Sequence, residues 1–145
     1  METADDARAQ VRAANDRFYE AFSTLDIHRM DAVWDHGEHV ACVHPGWEIL
    51  VGWEAVRESW ITIFQNTERM QFRLTNQRVV VSGSVAWVLN TENILSTVGG
   101  TAMVGRVHAT NIFRRQGETW LVVHHHGSPA VGTPAEEPSP PTMVH

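Results

Sequence analysis

Residues 109–129, ATNIFRRQGETWLVVHHHGSP, are the stretch that decides the fold of this chain. Two runs rich in β-branched and aromatic residues flank Gln116-Gly117, and this pattern predicts a β-hairpin with these two residues as its turn. With that turn, Asn111 is expected to lie opposite Val122. The position of the turn therefore determines which side chains share a face of the sheet.

The side chains of a strand point alternately to opposite faces. His125 is therefore predicted on one face of the hairpin, and five other side chains on the opposite face: Asn111, Phe113, Trp120, His124 and His126. An apolar wall with a few polar groups is typical of a small-molecule pocket. The alternative is that these side chains only fill a core and that the histidines are satisfied by hydrogen bonds inside it.

The elements before this hairpin are three helices and several strands. Residues 3–24 have the apolar spacing of a helix that begins with a capping box, and further helices are predicted after Asp26 and over 53–65. Strands are predicted at 40–44, 69–82, 84–96, 101–115 and 118–127, with turn residues at the joints of the last four. Helices followed by mostly antiparallel strands indicate an α+β fold.

The composition limits the number of domains and the kinds of partner. The chain has 145 residues, 43% of them hydrophobic, which suits one domain, predicted over residues 1–128. All but one of the 6 prolines fall in residues 129–145, which are predicted to form a disordered tail. The net charge is −6 and the 11 basic residues are scattered arginines, so no nucleic-acid partner is expected. No membrane-spanning run and no signal sequence are visible, so no membrane partner and a cytoplasmic location are expected.

Three segments resemble the nuclear-transport-factor-like superfamily, also called SnoaL-like or ketosteroid-isomerase-like. They are the helix NDRFYEAFSTLD at 15–26, the strand and turn VACVHPGWEILVGWEAVRESW at 40–60, and the hairpin at 109–129. The hairpin also resembles the association domain of the calcium/calmodulin-dependent protein kinases. The resemblance covers about residues 5–128 and implies a cone-shaped, curved mixed β-sheet wrapped around three helices from the N-terminal half.

The resemblance also indicates candidate catalytic residues. His44, before Pro45, stands where the steroid isomerases carry a general-base aspartate, and a histidine can act as base or acid near neutral pH. Asn111 and Phe18 stand where those enzymes have the two hydrogen-bond donors of their oxyanion hole. Asparagine can donate a hydrogen bond and phenylalanine cannot, so classical steroid isomerisation is not expected. The neighbouring Tyr19, about 100° around the helix, is expected to point elsewhere.

The resulting hypothesis is a pocket between the sheet and the helices that holds a small apolar or aromatic molecule. The predicted catalytic residues are His44, Asn111, His124 and His126, and the predicted ligand-binding residues are Phe18, Phe22, Trp34, Trp47, Trp60, Trp87 and Trp120. The function indicated is that of a SnoaL-like small-molecule-binding protein. Its enzymatic form would be a cofactor-independent isomerase, dehydratase or cyclase that uses histidine acid–base catalysis on an apolar, ring-containing substrate. A non-catalytic association module, as in the kinase hub domains, is the alternative.

No cofactor and no metal are expected. His44, His124 and His126 could supply three imidazoles to zinc. Metal-bound histidines usually need carboxylates as second partners, however, and Glu92 is the only acidic residue between positions 69 and 117.

A homodimer is expected from the outer face of the sheet. That face is predicted to carry Val88, Ile112 and Val123, and symmetric pairing would cover such an apolar patch.

Overall fold

The structure, a computed structural model, describes residues 2–132. The helices of this part are α1 (Ala4–Ser23), α2 (Ile27–Val33) and α3 (Trp53–Gln65). Its strands are β1 (Ala41–Val43), β2 (Leu50–Val51), β3 (Arg69–Ser82), β4 (Val85–Val98), β5 (Thr101–Gln116) and β6 (Thr119–Pro129).

The six strands form one open sheet in the order β2-β1-β6-β5-β4-β3. β1 runs parallel to β6, and the other neighbouring pairs are antiparallel. The sheet is therefore mixed, and with the three helices it forms the cone-like α+β fold that the sequence predicted.

The capped starts of the first two predicted helices are confirmed. The Thr3 hydroxyl accepts a hydrogen bond from the backbone N–H of Asp6, and the Asp6 carboxylate accepts one from the backbone N–H of Thr3, which is the reciprocal capping box. Asp26 caps α2 by accepting from the backbone N–H groups of His28 and Arg29. These caps satisfy donors that a helix N-terminus leaves unpaired.

The core lies between the inner face of the sheet and the apolar sides of the helices. α1 contributes Val11, Phe18 and Phe22, which are buried and recur at the spacing of one helical face. Trp60 of α3 is fully buried, and its ring packs edge-on against that of Phe22 with centroids 4.8 Å apart. Burying such aromatic side chains is the largest favourable contribution to a core of this kind.

The predicted turn of the β5–β6 hairpin is wrong by one residue. Gln116 pairs with Thr119, so the two turn residues are Gly117, at φ 63°, and Glu118. A glycine meets little steric cost at that dihedral angle. The pairing is consequently displaced, and Phe113 lies opposite Val122 rather than Trp120.

A β-bulge in β6 then changes which face the histidines occupy. Phe113 pairs with Val122 whereas Ile112 pairs with His124, so Val123 is an extra residue. An extra residue inverts the alternation of side chains beyond it. His125 therefore faces the core opposite Asn111, and the prediction that His124 and His126 face it is wrong.

Two further placements on β4 are wrong. Ala86 and Val88 are fully buried, so the residue between them, Trp87, belongs to the outer face and does not line the interior. Val88, predicted on the outer face, is in the core. The alternation itself was correctly predicted for this strand, but the sequence does not show which of the two faces is covered.

The C-terminal end of the described chain continues past residue 128. β6 includes Pro129, and the backbone N–H of Ala130 donates to the carbonyl of Arg106. The predicted disordered tail lies, from residue 133 onward, outside the described residues. Among the helices of the described chain, none is long and apolar enough to cross a membrane.

Candidate functional site

Five of the seven predicted ligand-binding residues lie together in the interior. These are Phe18, Phe22, Trp34, Trp60 and Trp120, all of them buried. Trp47 is 41% exposed and its ring centroid lies 4.9 Å from that of His44, so it stands at the edge of this interior. Trp87 is on the other side of the sheet.

His44 follows β1 and reaches into the aromatic interior. It is buried, and its ring meets that of Trp60 edge-on with centroids 4.7 Å apart. His44 Nε2 lies 2.9 Å from Ser59 Oγ. The Ser59 hydroxyl donates its single hydrogen to the carbonyl of Val56, 2.6 Å away.

These contacts determine the tautomer of His44. Because the Ser59 hydrogen is committed, the hydrogen between Ser59 and His44 must be carried by the imidazole on Nε2. Nδ1 therefore holds the lone pair. Burial lowers the pKa of His44 to about 4, so the neutral form is present at neutral pH.

His125 is the second buried imidazole and was not among the predicted site residues. Its ring centroid lies 6.2 Å from that of His44. His125 Nδ1 lies 2.5 Å from Asn111 Oδ1, which can only accept, so Nδ1 carries the hydrogen and Nε2 holds the lone pair. Burial, followed by the proximity of His44, lowers the pKa of His125 well below its usual value.

Asn111 is where the sequence placed it, on the inner face, but its amide hydrogens are both engaged. Asn111 Nδ2 donates to Asn15 Oδ1 at 2.9 Å and to Tyr19 Oη at 3.1 Å. An amide nitrogen has only two hydrogens, so in this arrangement Asn111 has none for a ligand. Its observed contact with the candidate site is through its oxygen, which orients His125.

The prediction that Tyr19 points away from the candidate site is wrong. α1 presents neighbouring residues to two different parts of the core: Phe18 packs against Trp60, and Tyr19 against Phe72 of β3. The Tyr19 hydroxyl donates to Glu92 Oε2 at 2.6 Å and accepts from Asn90 Nδ2 at 3.0 Å. The first-helix tyrosine is therefore part of the buried network.

Glu92 is the functional candidate that the sequence analysis used only as a possible metal neighbour. Its side chain is buried, and burial raises its pKa to about 7 although the hydrogen bond from Tyr19 opposes this. An available signal was the alternation Ala86, Val88, Asn90 along β4, which continues to Glu92 on the inner face. A carboxyl with its pKa raised to neutrality by burial is typical of functional sites.

His124 and His126 lie on the outer face, with ring centroids 6.0 Å apart. His126 lies at a cleft of about 510 Å³ on that face, whose lining also includes Asn76, Leu89, Thr91, His108, Thr110 and Ser128. The structure thus places His44 and Asn111 in the same interior, each next to His125, and separates both from His124 and His126. Within residues 2–132, no group of three or more metal-ligating side chains is placed to hold a metal ion.

An open mixed sheet around three helices, with a buried polar network in an aromatic interior, defines the class of cone-shaped nuclear-transport-factor-like domains. The model of the SnoaL-like domain family matches residues 11–132. The chain belongs to this family, as the resemblance in its sequence indicated.

Two solved structures and one plant protein are among the proteins that are similar to the chain. A Streptomyces avermitilis protein of the NTF2-like family, provisionally described as a dehydratase, is 41% identical, with 90% of this chain and 100% of that one covered and a TM-score of 0.84. A Thiobacillus denitrificans protein, provisionally described as a calcium/calmodulin-dependent protein kinase type II association domain, is 32% identical, with 82% and 94% covered and a TM-score of 0.70. The F-box protein SKIP8 of Arabidopsis thaliana is 26% identical over 118 residues, which are 81% of this chain. The chain spans about half the length, 48%, of that plant protein.

Proposed function

We propose that this protein is a cofactor-independent acid–base enzyme, an isomerase, dehydratase or cyclase, that acts on a small apolar, ring-containing molecule. The observation that carries the proposal is the pair His44 and His125. Their ring centroids are 6.2 Å apart, each is neutral, and each has one nitrogen held by a fixed partner. Burying two imidazoles with Glu92 among aromatic side chains costs stability, which favours a functional reason for their presence.

The chemistry open to such a pair is the movement of one proton within a substrate. A neutral imidazole takes a proton from the carbon next to a carbonyl group and becomes an imidazolium. Returning that proton to another carbon completes an isomerisation. Delivering it to a hydroxyl on the neighbouring carbon breaks the C–O bond and releases water, which completes a dehydration.

The lowered pKa of both histidines favours the second step, in which the imidazolium returns its proton to the substrate. An imidazole whose protonated form is disfavoured by burial is a weak base at rest but returns a proton readily once it has taken one. The provisional description of the Streptomyces avermitilis relative as a dehydratase agrees with this chemistry.

The apolar character of the proposed substrate follows from the surroundings of the two imidazoles. Trp60 packs against both His44 and His125, and Phe18 packs against His125. Aromatic side chains bind an apolar ring through area burial and edge contacts. Trp47, the partly exposed ring next to His44, marks the side from which a ligand would approach.

The proposal is tested by hydrogen–deuterium exchange, which does not require the natural substrate. The protein is incubated in D2O with 1-tetralone, 2-tetralone or cyclohexanone, and loss of the signal of the proton next to the carbonyl is followed by NMR. We expect exchange above the buffer rate, reduced at least about 100-fold in His44→Gln and His125→Gln. His28→Gln, which alters an imidazole 87% exposed on α2, should exchange like the unaltered protein. Exchange no faster than buffer for all three ketones, or unchanged exchange in both interior variants, would refute the proposal.

A second candidate function, an association module, is favoured by the end of the β4–β5 hairpin. Leu95 and Val104 lie directly opposite each other and are 46% and 70% exposed. Val98 and Met103 add further exposed apolar surface, and such patches often mark sites of association. The similarity to the Thiobacillus denitrificans protein described as an association domain agrees with this reading.

A homodimer is expected for either candidate, whereas a large closed ring would favour the association module, and light scattering measures the size of the oligomer. We expect at least a dimer at tens of micromolar protein, and a monomer after Val104→Lys, because a charge at this position would be desolvated in the interface. Glu38→Lys, at another exposed position, serves as the control. A monomer before any substitution would refute the association function.

A further inference from the structure

We propose that Glu92 is a positioning residue that determines which ring nitrogen of His125 is free to act as a base, through hydrogen bonds that run from Glu92 to Tyr19, Asn111 and His125. The role in catalysis rests on the proposed function. The hydrogen-bond argument itself depends on the geometry alone.

The direction of these hydrogen bonds is set at Glu92, because an ionised carboxylate can only accept hydrogen bonds. Tyr19 Oη lies 2.6 Å from Glu92 Oε2, so the Tyr19 hydroxyl must donate its single hydrogen there. Toward its other neighbours the Tyr19 oxygen can then only accept. The groups at 3.0 and 3.1 Å from it must therefore be the amide nitrogens of Asn90 and Asn111.

The direction then passes through Asn111 to His125. With its nitrogen turned to Tyr19 and Asn15, Asn111 presents its oxygen to His125 Nδ1, 2.5 Å away. The hydrogen of His125 is consequently on Nδ1. Nε2, on the far side of the ring from Asn111, is left as the nitrogen with a free lone pair.

The opposite direction becomes possible when residue 92 is neutral. A protonated Glu92 can donate to Tyr19, which then donates to the oxygen of a reversed Asn111 amide. The Asn111 nitrogen would now face His125 Nδ1, and the hydrogen of His125 would move to Nε2. Asn15 and Asn90, whose amides are joined at 3.0 Å, would reverse in the same sense. Because Tyr19 has a single hydrogen, this direction keeps every bond except the one between Asn90 and Tyr19.

Because the network is buried, the direction of its hydrogen bonds affects stability. Every member of the network is at most 5% exposed: Asn15, Tyr19, Asn90, Glu92, Asn111 and His125. Bulk water is therefore not available to pair with a group that points the wrong way, and a mismatched bond would leave an unsatisfied buried group. The negative charge of Glu92 selects the direction that frees Nε2.

The test reads the tautomer of His125 directly by ¹⁵N NMR of protein labelled in histidine, at pH 8, where Glu92 is ionised. We expect the unaltered protein to hold His125 wholly as the Nδ1–H form. Glu92→Gln supplies both a donor and an acceptor at position 92. Tyr19→Phe removes the hydroxyl that links residue 92 to Asn111. In each we expect a shift of the His125 signals to a mixture or to the Nε2–H form. Retention of the pure Nδ1–H form in both folded variants would overturn the proposal.

Ser59→Ala is the matched control because it removes the partner of the other buried imidazole. It should change the signals of His44 and leave the tautomer of His125 unchanged. A shift of His125 in this control as well would mean general loosening of the interior, and would also overturn the proposal.

The deuterium-exchange assay on the same proteins separates the two claims. A shifted tautomer together with no exchange, even in the unaltered protein, refutes the proposed function and supports the positioning role. If the unaltered protein catalyses exchange but the tautomer of His125 is unshifted in both Glu92→Gln and Tyr19→Phe, only the positioning role is refuted.

Discussion

Replacing Glu92 by glutamine should change how the stability of the protein depends on pH. The pKa of Glu92 is raised from 4.5 to about 7 in the folded protein, mainly by burial. A carboxyl with a raised pKa favours the folded state fully below its unfolded pKa, and this contribution is lost as pH rises through the folded value. The interval from 4.5 to about 7, at about 1.4 kcal/mol per pH unit, corresponds to roughly 3.5 kcal/mol over the whole transition.

The measurement is the free energy of unfolding in urea between pH 5 and pH 8, for the unaltered protein and for Glu92→Gln. His44, whose pKa is lowered to about 4, contributes stability that increases with pH over the lower part of this range, but it does so in both proteins. The difference between the two curves therefore isolates Glu92 and should change by about 2.5 kcal/mol in favour of the variant, since part of the interval lies below pH 5. Glu38→Gln, which alters an exposed carboxyl, should give a constant difference. A constant difference for Glu92→Gln as well would refute the assignment of a buried carboxyl that ionises near neutral pH.

Three further predictions concern the core, a helix cap and the cysteine. Trp60→Ala should lower the free energy of unfolding by about 3–5 kcal/mol in urea denaturation, because it empties a fully buried site between α3 and the sheet; a loss below about 1 kcal/mol would contradict the described packing. Thr3→Ala should cost about 1 kcal/mol by the same measurement, since it removes the hydroxyl that accepts from the backbone N–H of Asp6, whereas an unchanged stability would show that the N-terminus is frayed. Cys42 is buried and its pKa is raised by burial, so it should resist alkylation by iodoacetamide until the protein unfolds. Rapid alkylation of the native protein would contradict this burial.

Much of the architecture could be predicted because local signals were strong. The capping residues Thr3 and Asp26 mark the helix starts, and glycine-containing joints separate the long strands. These signals depend on residues close together in the chain, and the structure confirms them. The order of elements then indicated the family, which the comparison with known proteins supports.

The faces of β6 could not be predicted because they depend on distant residues. Val123 is the extra residue of the bulge, and β6 is held on its other edge by the parallel strand β1. Trp34, before β1, also bridges to Val122. A pattern of alternation along one strand contains no information about these neighbours.

Tyr19 shows a similar limit for helices. Matching the chain to the steroid isomerases placed Phe18 at the catalytic position, and the 100° between consecutive helical residues suggested that Tyr19 turned away. The hydroxyl is instead 2.6 Å from Glu92 because the sheet curves around α1 and offers partners over a wide angle. Glu92 itself could have been found by continuing the alternation of β4.

The bulge at Val123 has a consequence for how the protein tolerates change. In an ordinary strand a slip of one residue turns the buried side chains outward. Here three identical side chains, His124, His125 and His126, follow one another, so a slip in either direction brings another imidazole opposite Asn111. An insertion or deletion of one residue before the three histidines would therefore change which of them is buried. An imidazole would still lie beside the side-chain amide of Asn111.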